Sequence, residues 1–101
     1  MYTPLYNALL IHRELNRASF HTPGHKNNPS ALPQDLLSLD FTELPDTDSL
    51  FEANGPILEA EQLTAKLFGA QRSCISAGGC TLCIQAMFRL AAPNGGTVIC
   101  S

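Results

Sequence analysis

The C-terminal third of the chain constrains the fold most, because it alternates β-prone and helical patterns. Residues 72–77 read RSCISA, residues 80–92 read CTLCIQAMFRLAA, and residues 97–101 read TVICS after a PNGG turn. A strand, a helix and a strand in this order predict a β-α-β unit with parallel strands and a right-handed crossover. The fold class indicated by this pattern is therefore α/β.

Apolar spacing predicts three helices in the whole chain. The first starts at Thr3-Pro4, ends near Asn16, and has an apolar face made of Leu5, Ala8, Leu9, His12 and Leu15. The second starts at 54–56, stops at a left-handed Gly69, and has a stripe made of Ile57, Ala60, Leu63, Leu67 and Phe68. The third is the 80–92 helix, with an inward face made of Ile84, Met87, Phe88 and Ala91.

The segment between the first two helices is predicted to be mostly loop. Its part SFHTPGHKNNPSALP carries three prolines, one glycine and two adjacent asparagines. Residues 1–53 are therefore predicted to be an N-terminal helix followed by a loop-rich segment. Residues 54–101 are predicted to be the start of a larger α/β domain, because two strands and one helix leave faces and edges that need covering elements.

Composition excludes some functions. Six Lys and Arg against nine Asp and Glu give a net charge of −3, and no basic run is present, so nucleic acid is not an expected partner. No apolar run reaches membrane-spanning length and no basic leader precedes the first apolar residues, which predicts a cytoplasmic protein without membrane contact. Four cysteines are few for a disulfide-stapled domain, so free thiols are expected.

Residues 75–83, ISAGGCTLC, are the best candidate for a functional site, since they join a predicted strand to the start of a helix. Unpaired N–H groups at a helix start favour anions, glycines let the backbone approach a ligand, and Thr81 adds a hydroxyl donor. These residues therefore indicate a phosphate cradle. Two glycines before a helix also occur in ordinary tight turns, so the motif by itself leaves both interpretations open.

The cysteines of the same stretch support a different interpretation. Cys80 and Cys83 form a Cys-x-x-Cys pair at a helix start, where a thiolate would be stabilised, and this indicates a thiol-disulfide redox centre. A zinc site is not expected, because no second pair of ligands completes a tetrahedral set. His21 and His25 flank a Pro-Gly turn and are more simply explained by turn structure than by metal binding.

Four blocks in order resemble one family: TPLYNALL, SFHTPGHK, DFTELPDTDSL and GPILEAEQLTAKLFGAQRSCISAGGCTLCIQAM. Together they are similar to the N-terminal part of the pyridoxal-phosphate-dependent Orn/Lys/Arg decarboxylases. The resemblance covers essentially the whole chain. It implies a truncated cofactor-binding major domain of fold type I, in a homo-oligomeric enzyme that decarboxylates a basic amino acid.

The same resemblance implies site residues. The family's Gly-Ser-Thr phosphate loop falls on Gly79, Cys80 and Thr81, with Cys80 in place of the usual serine. The block from His21 to Lys26 also matches a family signature, whose role the residues do not reveal. The cofactor-binding lysine, its acidic partner and the stacking histidine are expected beyond Ser101, since neither Lys26 nor Lys66 has a Ser-x-His-Lys context.

Three hypotheses follow from these observations. The first is a segment of a pyridoxal-phosphate decarboxylase of ornithine, lysine or arginine, with no catalytic residue of its own and no activity in isolation. The second is a small thiol-disulfide protein that uses Cys80 and Cys83. The third is a non-enzymatic interaction module whose open sheet edge is covered by another copy of the chain or by the rest of its domain.

Overall fold

The computed structural model describes residues 2–18, 20, 23–26, 28–30 and 32–99. Within these ranges the chain forms four helices and no strand: α1 (Pro4–Glu14), α2 (Gln34–Leu37), α3 (Pro56–Phe68) and α4 (Gly79–Ala91). The parts of the predicted loop at Ser19, His21, Thr22, Asn27 and Ala31 lie outside the described residues. Among the helices described, none is both long and apolar enough to span a bilayer.

The first predicted helix is confirmed as α1. Pro4 occupies its first turn, where a missing N–H costs nothing, while Thr3 stands at the N-cap position without making a side-chain capping bond. The helix ends at Glu14, slightly before the predicted end. It packs against α3, and the Tyr2 hydroxyl donates a hydrogen bond to Glu59 Oε2 at 3.1 Å.

The second predicted helix is confirmed as α3, and so is its stop. Gly69 closes it with φ of +62°, a left-handed conformation that glycine adopts without a Cβ clash. The predicted apolar stripe is partly wrong, since Leu67 and Phe68 are 80% and 77% exposed. The buried face instead follows the i, i+4 row of Ile57, Glu61 and Ala65.

The start of α3 depends on a carboxylate from outside the helix. Gly55 is the N-cap residue and has no side chain to pair the first N–H groups of the helix. The buried Asp48 supplies the missing acceptor. Its carboxylate accepts hydrogen bonds, at N–O distances of 2.8–3.1 Å, from the N–H groups of Ser49, Asn54, Gly55 and Ile57. Asp48 itself has φ of +74°, a left-handed conformation that aspartate tolerates better than most residues.

These hydrogen bonds set the pKa of Asp48. Burial raises the pKa, because the charged form loses hydration, but the backbone N–H groups of Asn54, Ser49, Gly55 and Ile57 outweigh burial and lower it from 3.8 to about 2. A carboxyl whose pKa is lower in the folded chain stabilises the fold above its unfolded pKa of about 4. That stabilisation is lost as the pH falls toward 2.

The third predicted helix is confirmed as α4, but its predicted inward face is wrong for the described chain. No residue of α4 is buried, and Ile84, Met87 and Phe88 are 45%, 60% and 42% exposed. The physical reason is that α4 packs against no other described helix. An amphipathic pattern requires a partner surface before it becomes a core face.

The two strands of the predicted β-α-β unit are not confirmed. Residues 72–77 and the described part of the second segment, 97–99, form no ladder. A strand exists only where a neighbour pairs its N–H and C=O groups, and neither segment has such a neighbour in the described ranges. The α/β class and the boundary between residues 53 and 54 therefore stay predictions.

The core is small and lies in the first two thirds of the chain. Leu37 is 1% exposed, and Ile57 and Ala65 complete the buried apolar set of the described residues. The radius of gyration is 17.4 Å, whereas a compact chain of this length has about 13 Å. Much apolar surface therefore stays in water, both on α4 and elsewhere in the described chain, as at Phe20 and Phe51.

The Asp48 cap makes a testable prediction. Asp48→Asn keeps the shape of the side chain and its tolerance for positive φ, but it removes the charge and one acceptor oxygen. We expect the free energy of unfolding in urea at neutral pH to fall by about 1–2 kcal/mol. The loss of stability between about pH 4 and pH 2 should become shallower than in the wild type.

The matched control is Asp35→Asn, which changes an exposed aspartate in the same way. It should leave the free energy of unfolding within about 0.5 kcal/mol of the wild type. Equal losses in both variants would show that Asp48 has no special capping role.

Candidate functional site

The candidate site is the turn that leads into α4. The Gly78 N–H donates a hydrogen bond to Ser76 Oγ at 3.1 Å, which folds the chain back just before the helix. The helix then begins at Gly79, so Gly79, Cys80 and Thr81 form its first turn. The three residues predicted to bind a cofactor are thus placed together at one helix end, with their backbone N–H groups pointing out of the helix.

The two glycines of this turn have different surroundings. A Cβ on Gly78 would overlap the side chain of Leu82. Gly79 has φ of +74°, where an L-residue is strained, yet apart from its chain neighbours and the adjacent helix backbone no atom lies within 4 Å of the position its Cβ would take. The backbone of Gly79 therefore borders open space that a ligand group can enter.

Unpaired hydrogen-bond donors lie in the same turn as Gly79. Within the described chain, the N–H groups of Gly79, Cys80 and Thr81 make no backbone hydrogen bond, and the Thr81 hydroxyl makes none either. No acidic residue lies in the first turn of α4. A helix start with free N–H groups, a hydroxyl and no acidic side chain suits an anion with several acceptor oxygens.

The cysteines next to this turn are exposed thiols. Cys80 and Cys83 occupy the first two turns of α4, Cys74 precedes the site, and all three are free. The redox role of Cys80 and Cys83 stays a prediction. Nowhere in the described ranges do three His, Cys, Asp or Glu side chains form a group able to hold a metal ion.

A second concave region lies between the end of α1, α2 and residues 40–46. It encloses about 450 Å³ and contains His12, Arg17 and Asp46 on its wall. His12 Nδ1 donates to Asp46 Oδ2 at 2.7 Å, since an ionised carboxylate only accepts. The hydrogen bond from His12 lowers the pKa of Asp46 against the opposing effect of burial, with Arg17 Nη1 at 3.7 Å assisting.

A similar pair anchors the PGHK block. His25 Nε2 lies 3.0 Å from Asp40 Oδ2, and the His25 side chain is only 8% exposed. The two His–Asp pairs thus tie α1 and the turn at 23–26 to the same loop. For the part of the block that is described, this contact supports a structural role.

The cavity lacks the arrangement of a nucleophile and its base. Ser38 lines it, but its hydroxyl donates to the carbonyl oxygen of Asp35 at 2.9 Å. No hydrogen bond joins Ser38 to His12 among the described atoms. A serine hydrolase site requires that contact.

Sequence reasoning missed the two buried acidic residues, Asp48 and Glu61. Both accept hydrogen bonds from backbone N–H groups of distant residues. Capping rules search the residue adjacent to a helix, whereas Asp48 precedes Pro56 by eight positions. Glu61 interrupts an apolar pattern, and no sequence signal distinguishes it from a solvated residue.

The comparisons with known proteins identify the family of the chain. Residues 3–101 match the family described as Orn/Lys/Arg decarboxylase, major domain. The chain is 36% identical to uncharacterized protein YaaO of Bacillus subtilis, over 98% of this chain and 22% of that protein. It is 31% identical to an arginine decarboxylase of Halalkalibacterium halodurans, over 96% of this chain and 21% of that protein.

A lysine decarboxylase of Escherichia coli, the constitutive one, is 29% identical over 95% of this chain and 15% of that protein. No solved structure gives a significant match. The chain spans about a fifth of the length of the first relatives named above. On the family match along nearly its whole length, the chain belongs to the Orn/Lys/Arg decarboxylase family, as a segment of the major domain.

Proposed function

We propose that this chain supplies the phosphate-binding loop of a pyridoxal-phosphate-dependent decarboxylase of a basic amino acid. The observation that carries the proposal is the start of α4, where Gly79, Cys80 and Thr81 offer unpaired donors beside open space. The family membership and the arginine and lysine decarboxylases among the relatives support it.

The residues present fit a phosphate group. Backbone N–H groups of the first turn would bind its oxygens, and the Thr81 hydroxyl would add one donor. Cys80 contributes mainly its backbone N–H, since a thiol is a weak donor. Pyridoxal phosphate supplies an electron-poor ring that accepts the electron pair released when the carboxylate leaves as carbon dioxide.

The chain is proposed to hold the cofactor without reacting with it. Lys66 is exposed near the end of α3, and Lys26 is in the turn at 23–26. Neither belongs to the turn that opens α4. The lysine that binds the cofactor covalently is therefore expected from outside residues 1–101, and the isolated chain is expected to be inactive.

Three further parts of the proposal rest on the same assignment. The substrate is ornithine, lysine or arginine, in agreement with the names of the relatives. A cytoplasmic location agrees with the free thiols of Cys74, Cys80 and Cys83. A homo-oligomer agrees with the large apolar side chains left exposed on α4 and at Phe51.

Thr81→Ala tests the hydroxyl in the full-length protein that carries this segment. Removing one hydrogen bond to a charged phosphate should weaken pyridoxal phosphate binding about tenfold, measured as a dissociation constant by absorbance titration of the cofactor-free protein. Thr81→Ser keeps the hydroxyl and should bind nearly as the wild type does. Unchanged affinity in Thr81→Ala would contradict the assignment of the loop.

Gly79→Ala tests the backbone conformation. The alanine must adopt φ near +74°, which costs about 1 kcal/mol, or else change the direction of the adjacent N–H groups. We expect weaker cofactor binding in the same titration. Gly24→Ala is the matched control, because Gly24 has open space around it and no positive φ; equal effects at the two positions would argue against a special role for Gly79.

The DNA sequence after codon 101 tests whether this chain is part of a decarboxylase. A frame that continues past codon 101 into a Ser-x-His-Lys motif supports the decarboxylase. A stop codon there, together with a matching native mass, would contradict it. In that case the thiol-disulfide hypothesis would be supported by two measurements: a thiol of low pKa at Cys80 or Cys83, and a reversible disulfide between these two cysteines.

A further inference from the structure

Glu61 carries a buried carboxylate, although the face predicted to be buried on this helix does not include it. It lies in the middle of α3, between Ile57 and Ala65 on the buried face, and is 6% exposed. Burying a carboxylate costs several kcal/mol unless hydrogen bonds compensate. Its position therefore requires a partner.

The partner is a backbone group of the segment that leads to the candidate site. The Ile75 N–H donates to Glu61 Oε1 at 2.7 Å, which is short and typical of a charge-assisted hydrogen bond. Among the hydrogen bonds of the described residues, it is the only one from a side chain of α3 to residues 72–78. The two residues are separated by 14 positions along the chain.

This hydrogen bond lies directly upstream of the phosphate loop. Ile75 precedes Ser76, whose hydroxyl oxygen accepts the N–H of Gly78. Gly79 lies only four positions after the anchored Ile75, a span of at most about 14 Å. Since α4 packs against no other described helix, this anchor limits where the first turn of α4 can lie relative to α3.

We propose that Glu61 is a positioning residue for the loop at residues 78–81, acting through its hydrogen bond to the Ile75 N–H. It holds the extended segment against α3 and thereby orients the N–H groups and the Thr81 hydroxyl. The inference rests on the proposed function of this loop as a phosphate site. Glu61 itself does not contact the cofactor.

The test compares three variants of the full-length protein. Glu61→Met has a similar length but no acceptor, Glu61→Gln keeps an acceptor oxygen, and Gln62→Met changes an exposed neighbour on α3. Two quantities are measured: hydrogen exchange of the Ile75 amide by mass spectrometry of overlapping peptides, and the dissociation constant for pyridoxal phosphate in the cofactor-free protein.

The expected pattern separates positioning from general stability. In Glu61→Met, exchange at Ile75 should accelerate about tenfold and cofactor binding should weaken about threefold to tenfold. Glu61→Gln should restore both quantities close to the wild type. Gln62→Met should change neither. If Glu61→Met does not fold, Glu61→Asp, with a carboxylate one methylene too short to reach, is expected to show the same two shifts.

Thr81→Ala in the same titration distinguishes the two claims. If Thr81→Ala weakens binding while loss of the Glu61 acceptor does not, the positioning role is wrong and the phosphate loop stands. Unchanged exchange at Ile75 in Glu61→Met also overturns the inference. Unchanged cofactor affinity in both Thr81→Ala and Glu61→Met overturns the proposed function of the loop, and the inference with it.

Discussion

The carboxylate of Asp48 is the interaction on which the described fold most depends. It binds the N–H groups at the start of α3 and, through Asn54 and Ser49, the loop on either side of it. α3 is the helix against which α1 packs, and it carries the buried Ile57 and Ala65. The loop at 40–46 directly precedes this segment of the chain. Its Asp46 pairs with His12, and its Asp40 pairs with His25.

Asp48 and Glu61 solve the same physical problem at two places. Backbone N–H groups outside regular structure need acceptors, and here carboxylates from elsewhere in the chain supply them. Asp48 does so where Gly55 has no side chain, and Glu61 does so where residues 72–77 pair with no strand in the described part of the chain. In both cases the hydrogen bonds fix the position of an irregular segment relative to α3. The segment that receives it from Glu61 is the one that opens the candidate phosphate site.

Local signals were sufficient to predict α1, α3 and α4 and insufficient to predict what surrounds them. Pro4 and Pro56 at helix starts, and Gly69 at a helix stop, act within one turn, so the sequence predicts them correctly. The buried face of α3 was predicted less well, since Leu67 and Phe68 are exposed and Glu61 is buried. Which face becomes buried depends on what packs there, and that partner is distant in sequence.

The candidate site also combines features that the sequence predicts with features that it does not. Two glycines and a threonine at a helix start are readable in the sequence, and so is the family, which matches residues 3–101. The positive φ of Gly79 and the open space beside it are consistent with the motif. The anchor that connects this turn to α3 was invisible, because a glutamate 14 residues upstream carries no local signal.

By itself the sequence determined the positions of α1, α3 and α4, the glycine turn before α4 and the family, because each depends on short-range backbone preferences or on the order of residues. The tertiary structure decided which faces are buried and which carboxylates pair with backbone N–H groups, and among the described residues it pairs neither 72–77 nor 97–99 with a strand. Those outcomes depend on contacts between segments far apart in the chain. Their free energies arise only when the segments meet, and no local pattern encodes them.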